Sequence, residues 1–120
     1  MPNLNAALAC AQLENLDRFL ADKRELAMLY RDFFSTQPTI DFIPEPENTR
    51  ANYWLNAILL QDLKARDLFL AESNKAAVQT RPAWTLLNQL EIYGHCQTDA
   101  LANAIWLAER IVNLPSSVRP

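Results

Sequence analysis

Apolar side chains recur at helical intervals through the first quarter of the chain, and neither proline nor glycine interrupts residues 4–34. Side chains three or four positions apart share one face of a helix, so one long helix, straight or bent, is predicted from Leu4 to Phe34. It would be about 46 Å long, more than the diameter of a domain of this size, so we expect part of it to project. Its apolar face consists of Leu13, Leu16, Leu20, Ala27, Tyr30 and Phe34.

The first third of this predicted helix has small side chains on nearly every face. Residues Asn5–Gln12 include four alanines and no charged residue. A helix that is apolar or small all round is usually buried on all sides, and the remaining chain is too short to surround it. We therefore expect a partner here, either another domain or a second copy of the chain. The alternative is an alanine-rich helix that reflects helix propensity alone.

Three short strands are predicted in the middle of the chain. Apolar and polar residues alternate in Thr39–Ile43, between prolines, as in a strand with one buried face. Asn52–Leu60 is rich in aromatic and branched residues and is predicted to pair antiparallel with the first strand. Ala77–Thr80 is a candidate third strand that Pro82 ends.

Two further helices complete the predicted order of elements. Asp62 is a suitable cap for a helix from Leu63 to about Ala76. Thr98 or Asp99 is a suitable cap for a last helix through Ile111, with the inward positions Leu101, Ile105 and Leu107 or Ala108. The order α-β-β-α-β-α predicts an α+β fold, in which a small, mostly antiparallel sheet of about three strands is covered by helices and a long N-terminal helix.

Composition excludes several classes of function. Half of the 120 residues are apolar, enough for one modest core, so a single domain is expected over residues 1–120. A net charge of -3 and a pI near 5.0 provide no basic surface for nucleic acid. The longest apolar run, Ala6–Ala11, is too short to span a membrane, and no signal-peptide pattern is present, so we expect a cytoplasmic protein.

The few cysteines and the single glycine also limit the chemistry. Cys10 and Cys96 belong to no pattern of metal ligands, so no metal site is expected. Gly94 is the only glycine, and a glycine-rich phosphate-binding loop is therefore absent. His95 beside Cys96 suggests a thiolate nucleophile, but adjacent residues rarely face each other, and a turn residue next to a buried thiol is the preferred interpretation. The neighbouring acidic residues Glu45 and Glu47 are interpreted as solvated surface.

The best candidate for a binding site is Thr80–Trp84, followed by Asn88. Pro82 favours an extended backbone at Arg81, whose guanidinium is a planar fork of donors suited to phosphate or carboxylate. Trp84 would then be placed to stack on a ring of a ligand. In the alternative interpretation Arg81 pairs with Glu91, and Trp84 fills the core.

Four segments taken together resemble the C-terminal third of the DegT/StrS family of sugar aminotransferases. The resemblance is closest to the branch that acts in legionaminic-acid-type sugar biosynthesis and covers essentially the whole chain. It implies a fold-type-I aminotransferase that is usually a homodimer and binds pyridoxal phosphate in a large N-terminal domain. The four segments are Met1–Leu13 (MPNLNAALACAQL), Asn52–Asn56 (NYWLN), Thr80–Leu87 (TRPAWTLL) and Asn113–Ser117 (NLPSS).

The resemblance also implies which residues take part in the function. Arg81, Trp84 and Asn88 correspond to a segment that lies toward the nucleotide-sugar cleft, so they are the substrate-side candidates. Relatives commonly have histidine where Asn88 stands, which weakens any acid, base or phosphate role for this residue. The resemblance further implies that the family's phosphate-binding Asn-x-Arg loop lies just upstream of Met1. Other departures from the family are Glu91, where proline is common, and Ala9, where glycine is common.

The large domain that holds the cofactor is expected to be absent from the chain. None of the three lysines, Lys23, Lys64 and Lys75, matches the family's cofactor lysine, so no catalytic or cofactor-binding residue is expected here. The chain is then a domain that shapes the substrate cleft and dimer interface of an aminotransferase and is inactive alone. The alternative is a free-standing module that uses the small-residue helix to bind a protein partner.

Overall fold

The N-terminal helical region is two helices rather than one. In the computed structural model, which describes residues 2–119, α1 spans Asn3–Glu14 and α2 spans Leu16–Phe34. The break lies at Asn15, whose side-chain amide donates a hydrogen bond to the Ala11 carbonyl oxygen at 2.9 Å. Asparagine side chains compete in this way with the hydrogen-bond ladder of a helix. The predicted uninterrupted helix is therefore wrong at this position.

The two helices differ in how they contact the rest of the domain. No residue of α1 is buried, whereas α2 buries Ala27 and Phe34. α2 therefore belongs to the domain, and α1 is the part of the helical region that remains uncovered, as the sequence predicts. None of the helices within residues 2–119 has the length and apolar character that crossing a membrane requires.

Four antiparallel strands form one sheet in the order β1-β2-β4-β3. The predicted pairing of the first two strands is confirmed, with Ile40 of β1 opposite Leu60 of β2. The predicted α+β fold with a small antiparallel sheet is also confirmed, although the strands number four. The strands are β1 (Ile40–Phe42), β2 (Asn56–Leu60), β3 (Arg81–Pro82) and β4 (Ile111–Leu114).

The third strand is displaced from its predicted position at Ala77–Thr80. Ala77 has a positive φ of 60° and belongs to the turn after the third helix, where the N–H of Val78 donates to the Ser73 carbonyl oxygen at 2.9 Å. This left-handed backbone is incompatible with a strand. The strand is instead the short β3, whose Arg81 lies opposite Asn113 of β4.

One of the two central strands, β4, begins at Ile111, where the sequence predicted the last helix to end. That helix, α4, spans only Ala102–Ala108 and ends well before Ile111. β4 pairs with β2, with Val112 directly opposite Ile58. Branched side chains suit a sheet, and this long-range pairing overrides the local helical pattern.

The beginning and packing of α4 also differ from the prediction. Neither Thr98 nor Asp99 is its N-cap, because Asp99 accepts from the Leu101 N–H at 2.9 Å in a local turn, and Leu101 itself has φ of 47°. No residue of α4 is buried, so its predicted inward face is wrong. Two 3₁₀ turns, Leu87–Gln89 and Glu91–Tyr93, precede this helix.

The core lies on one face of the sheet. Side chains alternate along a strand, so Ile58 and Leu60 of β2 share this face with Val112 and Leu114 of β4. α2 covers it through Phe34, and the third helix, α3 (Leu63–Lys75), covers it through Phe69. The predicted cap of α3 is confirmed: the Asp62 carboxylate accepts from the Ala65 N–H at 2.8 Å. The buried cluster is Phe34, Ile58, Leu60, Val112 and Leu114.

Candidate functional site

The start of β3 is held by a small polar cluster at the end of α3. Thr80 is buried, and its hydroxyl lies 2.6 Å from the hydroxyl of Ser73. The Asn74 side-chain amide donates both to the Thr80 hydroxyl at 3.0 Å and to the Thr80 carbonyl oxygen at 3.1 Å. Buried polar groups need such partners, so these bonds define where the chain leaves α3. They place the next residue, Arg81, at the edge of the sheet.

A groove of about 570 Å³ opens beside this edge. One side is formed by β3 and the residues after it, and another by the segment that follows β4. Such a volume falls within the usual range for small-molecule pockets, about 300–1,000 Å³. Besides Arg81 and Trp84, its lining includes Trp54, Pro82, Asn113 and Ser116.

Two tryptophans stack on one another at this groove. The ring centroids of Trp54 and Trp84 lie 6.1 Å apart, with an angle of 20° between the ring planes. Trp84 is 71% exposed and Trp54 is 64% exposed. The interpretation of Trp84 as a core residue is therefore wrong.

Arg81 lies in the same groove, and its side chain is exposed. The alternative pairing with Glu91 is not formed, because no ion pair within residues 2–119 includes either residue. Its backbone is extended, as the following Pro82 predicts, and pairs with β4. The guanidinium is thus free to bind an anion.

Asn88, the third candidate, lies elsewhere. It lines a separate open hollow of about 680 Å³ together with Thr98 and Asp99. Its side-chain oxygen is buried and has no hydrogen-bond partner within residues 2–119. The structure therefore brings together Arg81 and Trp84 but not Asn88.

The loop that carries Trp54 is held by a partly buried ion pair between Arg24 and Glu45. Arg24 of α2 donates to both carboxylate oxygens of Glu45, at 2.7 and 3.1 Å, and to the Ala51 carbonyl oxygen at 2.8 Å. The Glu45 carboxylate also accepts from the Ala51 N–H at 2.7 Å. These bonds, first the Arg24 side chain and then the Ala51 backbone, lower the pKa of Glu45 to about 2. Glu45 is thus a structural anchor, and its interpretation as solvated surface is wrong.

Tyr53 directs Trp54 toward the groove. Its ring is buried, and the Arg24 guanidinium lies 5.4 Å from the ring centroid. Its φ is 47°, an unusual backbone conformation for a bulky residue. Sequence reasoning missed Trp54 because the segment Asn52–Leu60 was predicted as strand throughout, whereas β2 begins only at Asn56.

The groove's other wall, Pro115–Ser117, is tied to the sheet and to α2. The buried Ser116 hydroxyl accepts from the Asn56 N–H at 2.8 Å and donates to the Leu114 carbonyl oxygen at 2.8 Å. The Tyr30 hydroxyl donates to the Pro115 carbonyl oxygen at 3.0 Å, and burial raises the pKa of this phenol. The wall of the groove formed by Pro115–Ser117 is therefore anchored both to β2 and to α2.

His95 and Cys96 do not form an active site. Their side chains approach to 3.9 Å between Sγ and Nε2, but both residues are exposed, and neither lines the groove. The thiol predicted to be buried is therefore exposed. No three histidine, cysteine or acidic residues cluster as metal ligands in the part of the chain that the structure describes.

The lysines do not fit a pyridoxal phosphate site. That cofactor requires a lysine amine facing an enclosed pocket, where it forms a Schiff base. The Lys23 ammonium donates to the Ser116 carbonyl oxygen, whereas Lys64 and Lys75 are exposed on α3. Residues 2–119 therefore provide no cofactor lysine.

Comparison with known proteins relates the whole chain to sugar aminotransferases. It is 31% identical over 119 residues to a GDP-perosamine synthase of Vibrio cholerae and 28% identical over 117 residues to that of Escherichia coli O157:H7; each alignment covers 97% of this chain. The crystal structure of the aminotransferase TlmJ from Streptoalloteichus hindustanus superposes with a TM-score of 0.85 at 26% identity, covering 93% of this chain and 30% of TlmJ.

The chain spans only about a third of the length of these relatives, 32% and 31% of the two perosamine synthases. The model of the DegT/DnrJ/EryC1/StrS aminotransferase family matches residues 1–119. This match covers essentially the entire sequence and both walls of the groove. The chain therefore belongs to the DegT/DnrJ/EryC1/StrS aminotransferase family.

Proposed function

We propose that residues 1–120 are the C-terminal small domain of a pyridoxal-phosphate-dependent sugar aminotransferase, which transfers an amino group to a nucleotide-linked keto-sugar in the cytoplasm. The observation that carries this proposal is the family match to residues 1–119 by a chain that spans about a third of its relatives. The placement of the three lysines, none of which faces an enclosed pocket, supports a cofactor site outside this domain. The cofactor belongs to a separate large domain, and this chain alone is inactive.

Within such an enzyme the groove is the part of the substrate cleft that this domain contributes. Arg81 supplies a planar set of donors for a phosphate, and Trp84 supplies an aromatic face. Neither is needed to form the core, because both side chains are exposed. Asn88 lines the separate hollow and not this groove, so we propose only Arg81 and Trp84 as substrate contacts here.

α1 is the surface through which the domain contacts the large domain and the dimer partner. Leu4, Leu8 and Leu13 are 72%, 58% and 66% exposed, and the only charged residue of the helix is Glu14. An apolar helix with a single charge at its end is usually covered by another surface. The same exposure favours the alternative function, a free-standing module that binds a protein partner through α1.

The resemblance and the relatives point to different sugar substrates. The sequence resemblance favours the legionaminic-acid branch, whereas the two relatives compared above are GDP-perosamine synthases. Their shared chemistry is amino transfer to a keto-sugar attached to a nucleoside diphosphate. This substrate class is the one we propose, and assays with keto-sugars of both branches distinguish the two.

The test begins with the natural polypeptide that contains these 120 residues. We expect a longer protein that binds pyridoxal phosphate and converts a nucleotide-linked keto-sugar to the amino sugar, with the 120-residue chain as an inactive control. A natural polypeptide without a cofactor domain, which captures a specific protein through α1 and loses it on Leu8→Glu, would instead establish the interaction module. Amino transfer by the 120-residue chain itself would overturn the proposal.

A further inference from the structure

Two of the three tryptophans of the chain lie face to face at one groove and remain mostly exposed to solvent. Tryptophan is the side chain with the most apolar surface to bury, and burial usually determines where it lies. Trp106 is 46% exposed and lies under the guanidinium of Arg110, at 4.6 Å from the ring centroid. Within residues 2–119, Trp54 and Trp84 stack on no other aromatic ring, and both are more than 60% exposed, so their outer faces are available to a ligand.

Trp54 follows a residue with an unfavourable backbone conformation. The preceding residue, Tyr53, adopts a left-handed conformation that a bulky side chain rarely tolerates. Such strain persists where the surroundings over-determine it, and it clusters at binding sites. Here the surroundings are the Arg24 guanidinium over the Tyr53 ring and the bidentate pair with Glu45. Tyr53, Arg24 and Glu45 are therefore positioning residues for Trp54.

The third feature is the charge beside the rings. Arg81 lines the same groove, and no ion pair within residues 2–119 neutralises it. A stacking surface next to a free guanidinium suits a flat ring that carries an anionic group. Every nucleic-acid base has a π-face that can stack on an indole ring, whereas a pyranose ring presents only C–H groups.

From this geometry we propose that Trp54 and Trp84 form a stacking platform for the base of a nucleotide, with Arg81 binding its phosphate. This inference rests on the proposed function and specifies which part of a nucleotide-linked sugar this domain binds. Trp54 thereby becomes a binding residue, although the sequence did not single it out. The groove volume of about 570 Å³ leaves room for the attached ribose and phosphates.

Indole N–H resonances of the 120-residue chain test the platform, because the chain has only three tryptophans. Each resonance is assigned by single Trp→Phe variants, and the chain is titrated with GDP, UDP, guanosine and mannose 1-phosphate at millimolar concentration. We expect GDP and UDP to shift the resonances of Trp54 and Trp84 with one common dissociation constant, while Trp106 serves as the internal control. Trp84→Ala should weaken binding about tenfold to a hundredfold.

Two further variants separate the parts of the proposal. Arg81→Ala should abolish the preference for GDP over guanosine. Glu45→Gln should weaken binding, because it releases the loop that holds Trp54 while Trp84 stays in place. A shift of Trp106 alone, no shift with either nucleotide, or equal shifts with mannose 1-phosphate would overturn the platform.

The intact enzyme distinguishes failure of the platform from failure of the proposed function. If the platform is correct, Trp84→Ala raises the KM for the nucleotide-linked sugar and leaves kcat nearly unchanged, because the base is remote from the amino transfer. An active enzyme in which this variant lowers kcat at unchanged KM would refute the platform and leave the aminotransferase assignment intact.

Discussion

The exposed surface of α1 predicts that the 120-residue chain self-associates, and that Leu8→Glu prevents this. Leu4, Leu8 and Leu13 retain more than half of their accessible surface. Together with the intervening alanines and Cys10 they expose roughly 400 Å² of apolar area, which is worth on the order of 10 kcal/mol if fully buried. Association costs of about 4–15 kcal/mol must be subtracted, so the expected product is a weak dimer. Glutamate at position 8 removes apolar area and adds a charge that burial would have to desolvate.

Sedimentation across a concentration series measures this association directly. We expect a concentration-dependent increase in the mean mass of the wild-type chain and a constant monomer mass for Leu8→Glu. Leu68→Glu is the matched control, because Leu68 is 60% exposed on α3, and the same charge there should leave the association unchanged. A strictly monomeric wild type whose α1 amides are protected from hydrogen exchange would show that the domain covers its own helix. The reasoning about a missing partner would then be wrong.

Three further predictions concern the groove, its anchor and the cofactor. Arg81→Ala should change the free energy of unfolding by less than about 1 kcal/mol, because the side chain is exposed; a loss of several kcal/mol in denaturant titration would assign it to the fold. The pKa of Glu45 is lowered from 4.5 to about 2, so its contribution to stability is complete above pH 4.5 and is lost as the pH falls toward 2. Denaturation midpoints of wild type and Glu45→Gln should converge over this range, and a constant difference would contradict the anchor. Pyridoxal phosphate followed by borohydride should label no single lysine of the folded chain stoichiometrically, and a specific adduct that disappears on unfolding would refute the absence of a cofactor site.

Local sequence signals predicted much of the helical and strand framework. Asp62 is the cap of α3, and the alternating residues around Ile40 form β1. These features depend on neighbours in the chain, namely a carboxylate one turn from a free N–H and a period of two residues. The uncovered small-residue helix was also visible locally, because α1 lacks any charge before Glu14.

Tertiary contacts decided the strands that the sequence placed wrongly. The predicted last helix extended through Ile111, yet Ile111–Leu114 is a strand in the interior of the sheet, because it pairs with β2 on one side and β3 on the other. Strand propensity is small compared with the burial and hydrogen bonding that such a central position provides. No window of local sequence contains those partners.

At the candidate site, too, local sequence predicted single residues, and tertiary contacts decided which residues meet. By itself the sequence determined that Arg81 would be extended before Pro82, and it singled out Trp84 as a ring for stacking. Only the tertiary structure places Trp54 against Trp84, because that contact requires the left-handed turn at Tyr53 and the Arg24–Glu45 pair from another helix. Side-chain identity specifies what a residue can bind, whereas long-range packing decides which residues meet to bind it.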